Sequence, residues 1–136
     1  MSTGSIDIEA KSRKYAQTYA LNTSDGVKAL LRDRHKIAER QFKGDYSAVD
    51  ITIDLHSAIE SAGLTDRQAE SIAWVYGRDL TQTEAARIMG IAQKNVNEYL
   101  GVACERIAAV FQRWDYGEVT VEVDATETDE GEITNE

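Results

Sequence analysis

The sequence predicts an all-α fold, with a short possible β-strand and an acidic tail at its C-terminus. The chain of 136 residues contains no proline, the residue that most strongly interrupts helices. Apolar residues recur along much of the chain at about the helical period of 3.6 residues. Nine glycines divide these segments, and several stand where a helix would end. These three observations favour helices joined by short turns.

The net charge of -9 comes entirely from the C-terminal end of the sequence. Residues 115–136 contain nine of the 24 acidic residues and none of the 15 basic residues. The preceding part of the chain therefore carries equal numbers of positive and negative side chains. The acidic balance consequently does not argue against a polyanionic partner for this part.

Several classes of protein are not expected from this composition. A single cysteine excludes an intramolecular disulfide framework and a multi-cysteine zinc site. The first residues lack the apolar core of a secretory signal, and no stretch is long and apolar enough to span a membrane. Catalytic constellations and phosphate loops are not recognisable. We therefore expect a cytoplasmic protein that is not an enzyme and needs no cofactor, metal or membrane.

The first part of the chain is predicted to form two helices. Residues 6–21 are a helix candidate by their periodicity. The polar side chains at 22–24 can cap a second helix. Apolar residues at a helical spacing extend that helix to Phe42, and Gly44 can end it.

The next segment, Ser47–Ala62, can be interpreted in two ways. Val49–Leu55 alternates between apolar and polar residues, as a half-buried strand does. Apolar residues at a helical spacing also cover the segment, and its length between two glycines suits a helix better. We therefore favour a helix.

Two helices with clear boundaries are predicted next. Thr65 can cap a helix that ends at Gly77. Thr81 and Glu84 form a capping box, in which each side chain accepts a hydrogen bond from the main-chain amide of the other residue. A short helix is therefore expected over 82–89.

A glycine turn separates this short helix from a longer one. Gly90 can adopt the left-handed backbone conformation of the turn, and the third helix is predicted from near Ala92 to Trp114. We expect Val96 and Leu100 of the third helix to be buried against the short helix and the helix before it, at Ile88, Ala85, Ile72 and Val75. A short helix, a glycine turn and a longer helix in this order predict a helix-turn-helix.

The helix-turn-helix and the helix before it resemble the sigma-70 region 4 family of promoter-binding domains. The resemblance spans 64–111, LTDRQAESIAWVYGRDLTQTEAARIMGIAQKNVNEYLGVACERIAAVF. The matching positions are Leu64-Thr65, Arg67-Gln68, Leu80-Thr81, Glu84-Ala85-Ala86, Ile88-Met89-Gly90-Ile91, Val96 and Leu100. The upstream segment 44–63 is also similar to small sigma-like proteins of bacteriophages of Gram-positive bacteria.

The resemblance implies that the third helix enters the major groove of double-stranded DNA. The base-contacting positions of the family fall on Gln93, Lys94, Asn97 and Glu98. Gln and Asn can form two hydrogen bonds with an adenine edge, Lys can donate to guanine, and Glu can accept from cytosine. We therefore expect these four side chains to determine sequence preference.

The resemblance also implies contacts with DNA phosphates. Main-chain amides at the start of the short helix, at Thr81 and Gln82, would hold one phosphate with the help of the helix dipole. Further positive charge would come from Arg78, Arg87 and Arg106.

RNA polymerase is a second partner that the resemblance implies. Family members dock on the polymerase through an apolar face of their early helices, which here could involve Trp74, Ile72 or the Ser47–Ala62 helix. In contrast to many family members, the run 93–99 contains one positive charge, Lys94. Because few phosphate contacts give weak non-specific binding, the polymerase or self-association would have to supply additional affinity.

The third helix also carries a seam of apolar residues with heptad spacing. Its members are Val96, Leu100, Ala103, Ile107, Val110 and Trp114. The seam could join a homo-oligomer or pack within its own chain. Because a coiled coil needs about three to four heptads, we favour packing within the chain for 96–103 and leave 107–114 open. Cys104, beside the seam, is expected to be buried.

Two charged segments lie outside the helix-turn-helix. The basic stretch 28–43 could lie along DNA phosphates or form a solvated helix face. Residues 119–123 alternate as a short strand does, and 125–136 are predicted to be a disordered acidic tail. This tail could cover the basic stretch or serve only solubility.

The sequence thus predicts three regions and a leading function. Residues 1–63 are a helical region for oligomerisation or polymerase contact, 64–114 are the helix-turn-helix, and 115–136 are the acidic tail. The leading hypothesis is a phage-encoded, DNA-binding transcription regulator that acts with RNA polymerase. The alternatives are a small terminase subunit for phage DNA packaging, with 119–123 in a ring of strands, and a protein-interaction module without DNA binding.

Overall fold

The computed structural model describes residues 14–42 and 46–124 of the chain. Five helices and a two-stranded sheet make up this part. The elements are β1 (Lys14–Ala20), α1 (Ser24–Phe42), α2 (Tyr46–Ser61), α3 (Asp66–Ile72) with a π-helical turn after it (Ala73–Gly77), α4 (Gln82–Met89), α5 (Gln93–Arg113) and β2 (Glu118–Asp124). The predicted fold, largely helical with a small strand, is confirmed, and the ambiguous segment Ser47–Ala62 is a helix.

The predicted helix over 6–21 is wrong for the part that the structure describes. This part is β1, which pairs antiparallel with β2 so that Lys14 lies opposite Asp124 and Ala20 opposite Glu118. Because the partner strand lies near the other end of the chain, local periodicity could not indicate the pairing. Residues 6–13 lie outside the described part.

The small sheet is part of the main core. Alternate residues of its strands face inward, and Tyr19 and Val121 are buried there. The Tyr19 hydroxyl donates a hydrogen bond of 2.7 Å to the carboxylate of Asp33 on α1. β2 confirms the strand that the sequence predicted at 119–123, whereas the tail 125–136 lies outside the described residues.

A close approach between the end of β1 and the first turn of α1 determines where α1 begins. The Thr23 hydroxyl accepts a hydrogen bond of 3.0 Å from the main-chain amide of Gly26, so the cap predicted at 22–24 is present. A Cβ at Gly26 would come within 1.9 Å of the carbonyl oxygen of Ala20. Glycine is therefore required at position 26. The predicted end of this helix at Gly44 lies outside the described residues.

One hydrophobic core extends through the described residues, and α5 runs through it. α5 packs against α1, α2, α3 and α4. The buried residues of α5 include five of the six seam positions, namely Val96, Leu100, Ala103, Ile107 and Val110. The sixth, Trp114, is 40% exposed. Packing within the chain is therefore confirmed for 96–103 and extends to Val110, and Cys104 is buried as expected.

One expected core residue lies at the surface. Ile88 is 53% exposed, so its predicted burial against α5 is wrong, whereas Ala85 and Ile72 are buried as predicted. Ala85, Ala86 and Met89 form the buried side of α4. These three side chains form a narrow stripe along the eight residues of α4. Within the described ranges, no helix has the length and hydrophobicity needed to cross a bilayer.

Candidate nucleic-acid interface

A capping box begins α3, and one arginine connects this helix to the helix-turn-helix. The Thr65 hydroxyl accepts from the amide of Gln68 at 3.2 Å, and the Gln68 side chain accepts from the amide of Thr65 at 3.0 Å. In the first turn of α3, the Arg67 guanidinium donates a hydrogen bond of 3.2 Å to the carbonyl oxygen of Met89, the last residue of α4. The start of α3 therefore holds the end of α4.

The connection from α3 to α4 is a short, hydrogen-bonded turn. The amide of Arg78 donates to the carbonyl oxygen of Ala73 at 2.9 Å, and the amide of Leu80 donates to that of Trp74 at 3.2 Å. Asp79 between them has a φ of 60°, a left-handed conformation that Asp tolerates better than most residues. The turn positions the start of α4 immediately after the π-helical turn.

The predicted capping box at the start of α4 is confirmed. The Thr81 hydroxyl accepts from the amide of Glu84 at 3.1 Å, and the Glu84 carboxylate accepts from the amide of Thr81 at 2.9 Å. Hydrogen bonds from the Thr81 backbone and hydroxyl hold the pKa of Glu84 below its ordinary value. A negative charge therefore lies at the helix start where a phosphate is predicted to bind.

The turn between α4 and α5 has the geometry that its glycine predicts. Gly90 has a φ of 69°. The Gly90 amide donates to the carbonyl oxygen of Arg87 at 3.3 Å, and the Ile91 amide donates to that of Ala86 at 3.0 Å. These two hydrogen bonds form a Schellman motif, which closes a helix C-terminus. α5 begins three residues later at Gln93, close to the predicted position.

The four predicted base-contacting residues lie together on the first two turns of α5. Gln93, Lys94, Asn97 and Glu98 are all exposed. Gln82, at the start of α4, joins two of them. Its Nε2 donates a hydrogen bond of 3.3 Å to Oδ1 of Asn97, and its Oε1 accepts a hydrogen bond from Nε2 of Gln93. We call Gln82, Gln93 and Asn97 the amide cluster.

The three predicted phosphate-binding arginines do not lie together. Arg87 is exposed on α4 and Arg78 is exposed before it, both near the capping box in sequence. Arg106 lies 13 residues beyond Gln93, about 20 Å along the axis of α5, and its guanidinium donates a hydrogen bond of 2.8 Å to the carbonyl oxygen of Gly63. Phosphate binding by these residues stays a prediction, and for Arg106 the structure provides a different partner.

The contacts of Gln82 and Arg67 were not predicted from the sequence. For Gln82 the sequence predicted only a main-chain contact with phosphate, and Arg67 was only a matching position of the family pattern. Gln82 and Gln93 both occupy the first position of their helices. The two helix starts meet only in three dimensions, so the sequence spacing alone did not indicate the contact.

Comparison with known proteins agrees with this geometry. Residues 62–109 match the family model described as Sigma-70, region 4. We call residues 62–109 the region 4 domain, after the family whose model they match. Curated proteins and solved structures gave no match. The region 4 domain covers α3, α4 and most of α5, and it is a DNA-binding helix-turn-helix.

The region 4 domain also locates the side chains expected at a polymerase contact. Ile72 is only 7% exposed, so it is a core residue and is not available at the surface. Trp74 is half-buried, and its Nε1 donates a hydrogen bond of 3.3 Å to the Glu70 carboxylate. On α2, Ile53 is 56% exposed. Of the two residues and one helix predicted for docking, Trp74 and α2 therefore reach the surface, and Ile72 does not.

Proposed function

We propose that this protein is a phage-encoded transcription regulator that recognises a promoter element and acts with RNA polymerase. One observation supports the proposal most directly. The region 4 domain exposes Gln93, Lys94, Asn97 and Glu98 on the first two turns of its recognition helix, α5. Each of these side-chain types has a favourable partner among base edges of the major groove.

The two helices of the motif would contact different parts of the DNA. The N-terminal turns of α5 would lie in the major groove, which is wide enough to admit one helix. The start of α4 would lie against the phosphate backbone through the main-chain amide of Gln82 and the helix dipole. The Thr81 amide, also predicted for this contact, instead donates to the Glu84 carboxylate. The contacts to phosphate would set orientation, and the contacts to bases would set sequence preference.

The proposal includes a second partner because the residues expected to face DNA carry little positive charge. Lys94 is the one cation of the run 93–99, and Glu84 adds a negative charge at the start of α4. Binding by the chain alone would therefore be weak and would release few counterions. RNA polymerase, contacted through Trp74 and the exposed face of α2, would supply the missing affinity. Since promoter and polymerase share one compartment, the proposal includes a location in the bacterial cytoplasm, and it involves neither catalysis nor a cofactor.

The packaging alternative is weakened by where the structure places the seam and the strand that motivated it. The seam on α5 is buried within its own chain as far as Val110. The strand proposed for a ring of subunits, β2, pairs with β1 of the same chain. The buried seam cannot join a ring without rearrangement, and β2 could join one only through its outer edge, so the packaging function is not our choice.

Selection of binding sites from a random DNA library tests the proposed function. The full chain is used with and without bacterial core RNA polymerase, beside the double variant Gln93→Ala with Asn97→Ala. The exposed residue Glu105, farther along α5, supplies the control variant Glu105→Ala. We expect one enriched motif, stronger with polymerase, that the control retains and the double variant loses.

Two outcomes would contradict the proposal. Enrichment of the same motif by the double variant would show that other residues recognise the bases. Absence of any enrichment with and without polymerase would favour a protein-interaction module on the same fold.

A further inference from the structure

The amide cluster places a residue of α4 among the residues expected to contact bases. Gln82 is the first residue of α4, and its side chain is directed to α5, where it contacts both Gln93 and Asn97. Gln93 is the first residue of α5, and Asn97 lies one turn later. Gln93 and Asn97 are exposed and Gln82 is partly buried. The cluster is therefore open to DNA from the side of α5 and supported from the side of α4.

The hydrogen bonds determine which atoms of the cluster remain available to a base. The Nε2 of Gln93 has two hydrogens, of which one is donated to Gln82, so one hydrogen and the Oε1 acceptor remain. The Oδ1 of Asn97 accepts from Gln82, so both hydrogens of its Nδ2 remain. Gln93 thus presents an acceptor beside a donor, whereas Asn97 presents mainly donors.

These two patterns match different base edges. Adenine offers the N6 donor beside the N7 acceptor in the major groove, which pairs with one acceptor and one donor of Gln93. Guanine offers two acceptors, N7 and O6, which suit the donors of Asn97. Residues one helical turn apart have Cβ atoms about 5–6 Å apart, and base pairs are about 3.4 Å apart along DNA. The two side chains would therefore face bases one or two steps apart.

We propose that Gln82 is a specificity-determining residue that orients Gln93 toward adenine and Asn97 toward a neighbouring base with acceptors. Its role is positioning, since its side chain is directed to α5 and hydrogen-bonds both Gln93 and Asn97. The bridge between two helices restricts the side-chain rotamers before DNA arrives, so less conformational entropy is lost on binding. This inference rests on the proposed function, because it concerns how the same helix discriminates among bases.

A positioning role differs from the phosphate contact expected at the start of α4. The phosphate contact would use the main-chain amide of Gln82, which a side-chain substitution leaves in place. Loss of the phosphate contact would weaken binding to every DNA sequence, whereas loss of positioning would weaken only discrimination between sequences. The two roles can therefore be separated by experiment.

The variant Gln82→Met tests the proposal, because Met has nearly the same length, a good helix propensity and no amide group. Thr83→Ala, at the neighbouring exposed position of α4, is the matched control. Binding sites are selected for the full chain, with polymerase if required, and affinities are measured for the selected site and for sites changed at single positions. The single variants Gln93→Ala and Asn97→Ala identify the base that each residue contacts.

We expect Gln82→Met to reduce discrimination by about tenfold at the two positions that these single variants identify, a loss within the range of one base contact. Affinity for non-specific DNA should stay unchanged, and Thr83→Ala should behave as the original chain does. In the free protein, the side-chain NH₂ groups of Gln93 and Asn97 should be more mobile in Gln82→Met than in the original chain, which NMR of these groups can measure.

Three outcomes would overturn the inference. Unchanged discrimination in Gln82→Met would show that Gln82 does not position the two side chains. An equal loss of affinity for all DNA sequences would indicate a phosphate contact instead. If the original chain selects no DNA sequence, the proposed function fails as well. In the first two outcomes, by contrast, the original chain does select a motif, so only the role of Gln82 fails.

Discussion

The guanidinium of Arg67 donates a hydrogen bond of 3.2 Å to the carbonyl oxygen of Met89. Arg67 lies in the first turn of α3, and Met89 is the last residue of α4, where the helix leaves carbonyl groups without partners inside the helix. A cation near a helix C-terminus also interacts favourably with the helix dipole. This contact therefore helps to hold α4 in the orientation that α5 requires for DNA binding.

Replacing Arg67 by alanine should lower the free energy of unfolding by about 1 kcal/mol, the usual contribution of one exposed hydrogen bond and one dipole interaction. The nearby ion pair with Glu70, at 3.6 Å between partly exposed groups, should add little. Urea unfolding of the full chain measures the change. Lys94→Ala, at an exposed position of α5, serves as the control. Equal unfolding free energies for the Arg67 variant and the original chain would show that the contact does not support α4.

Replacing Glu84 by glutamine should strengthen DNA binding about two- to fivefold at low salt, because it removes a negative charge that would repel a phosphate at the start of α4. Glutamine can replace glutamate in a capping box, so α4 should stay folded. Fluorescence anisotropy at several salt concentrations measures the gain, which should shrink as salt rises. Glu105→Gln is the control, since Glu105 lies far along α5. Unchanged affinity of the Glu84 variant at low salt would indicate that no phosphate lies near the start of α4.

Replacing Tyr19 by phenylalanine should destabilise the protein by about 1–3 kcal/mol, because the largely buried carboxylate of Asp33 loses a hydrogen-bond donor. Urea unfolding again measures the effect. Thr18→Ala removes the exposed contact between Thr18 and Thr120 and should cost less than about 0.5 kcal/mol. Similar effects of the two substitutions would contradict the integration of β1 into the core.

Cys104 should react slowly with thiol reagents in the native protein. Burial raises the pKa of its thiol from 9.0 to about 11. Because the thiolate is the reactive form, native Cys104 at pH 8 should react about a hundredfold more slowly than the unfolded chain, with a further reduction from limited access. The colour change with a disulfide reagent, in buffer and in urea, measures both rates. Equal rates would contradict burial of the thiol.

The same pKa shift has a consequence for stability. Between pH 9 and about pH 11 the unfolded thiol loses its proton while the native thiol keeps it, so the unfolded state binds fewer protons. Stability therefore falls as pH rises through this range. Cys104→Ala should remove this part of the pH dependence, which unfolding experiments at pH 8 and pH 10 can measure.

Local chemistry explains which parts of the fold could be predicted from sequence. The bounds of α4 follow from the Thr81–Glu84 capping box and the left-handed Gly90, since each acts within one helical turn. The identity of β1 did not follow, because its partner β2 is far away in sequence. Ile88 was misplaced for a similar reason, since the depth of the interface between α4 and α5 depends on Ala85 and Ala86.

The candidate site, like the fold, could be predicted from sequence only in part. The exposure of Gln93 and Asn97 at the start of α5 was predictable from the helix-turn-helix pattern. The role of the Gln82 side chain was not, because it depends on how closely the starts of two helices approach. The hydrogen bond between Arg106 and the Gly63 carbonyl likewise joins residues that no local pattern connects.

Titration of the ¹⁵N-labelled chain with its selected DNA duplex, followed by NMR, tests the central claim most directly. The account predicts that the largest shifts occur at the side-chain NH₂ signals of Gln93 and Asn97 and at the main-chain amides from 81 to 84 and 93 to 98. Small shifts are expected at α1 and at β1. Large shifts confined to α1 or α2, with the signals of Gln93 and Asn97 unchanged, would contradict the assignment of this helix-turn-helix as the DNA-binding surface.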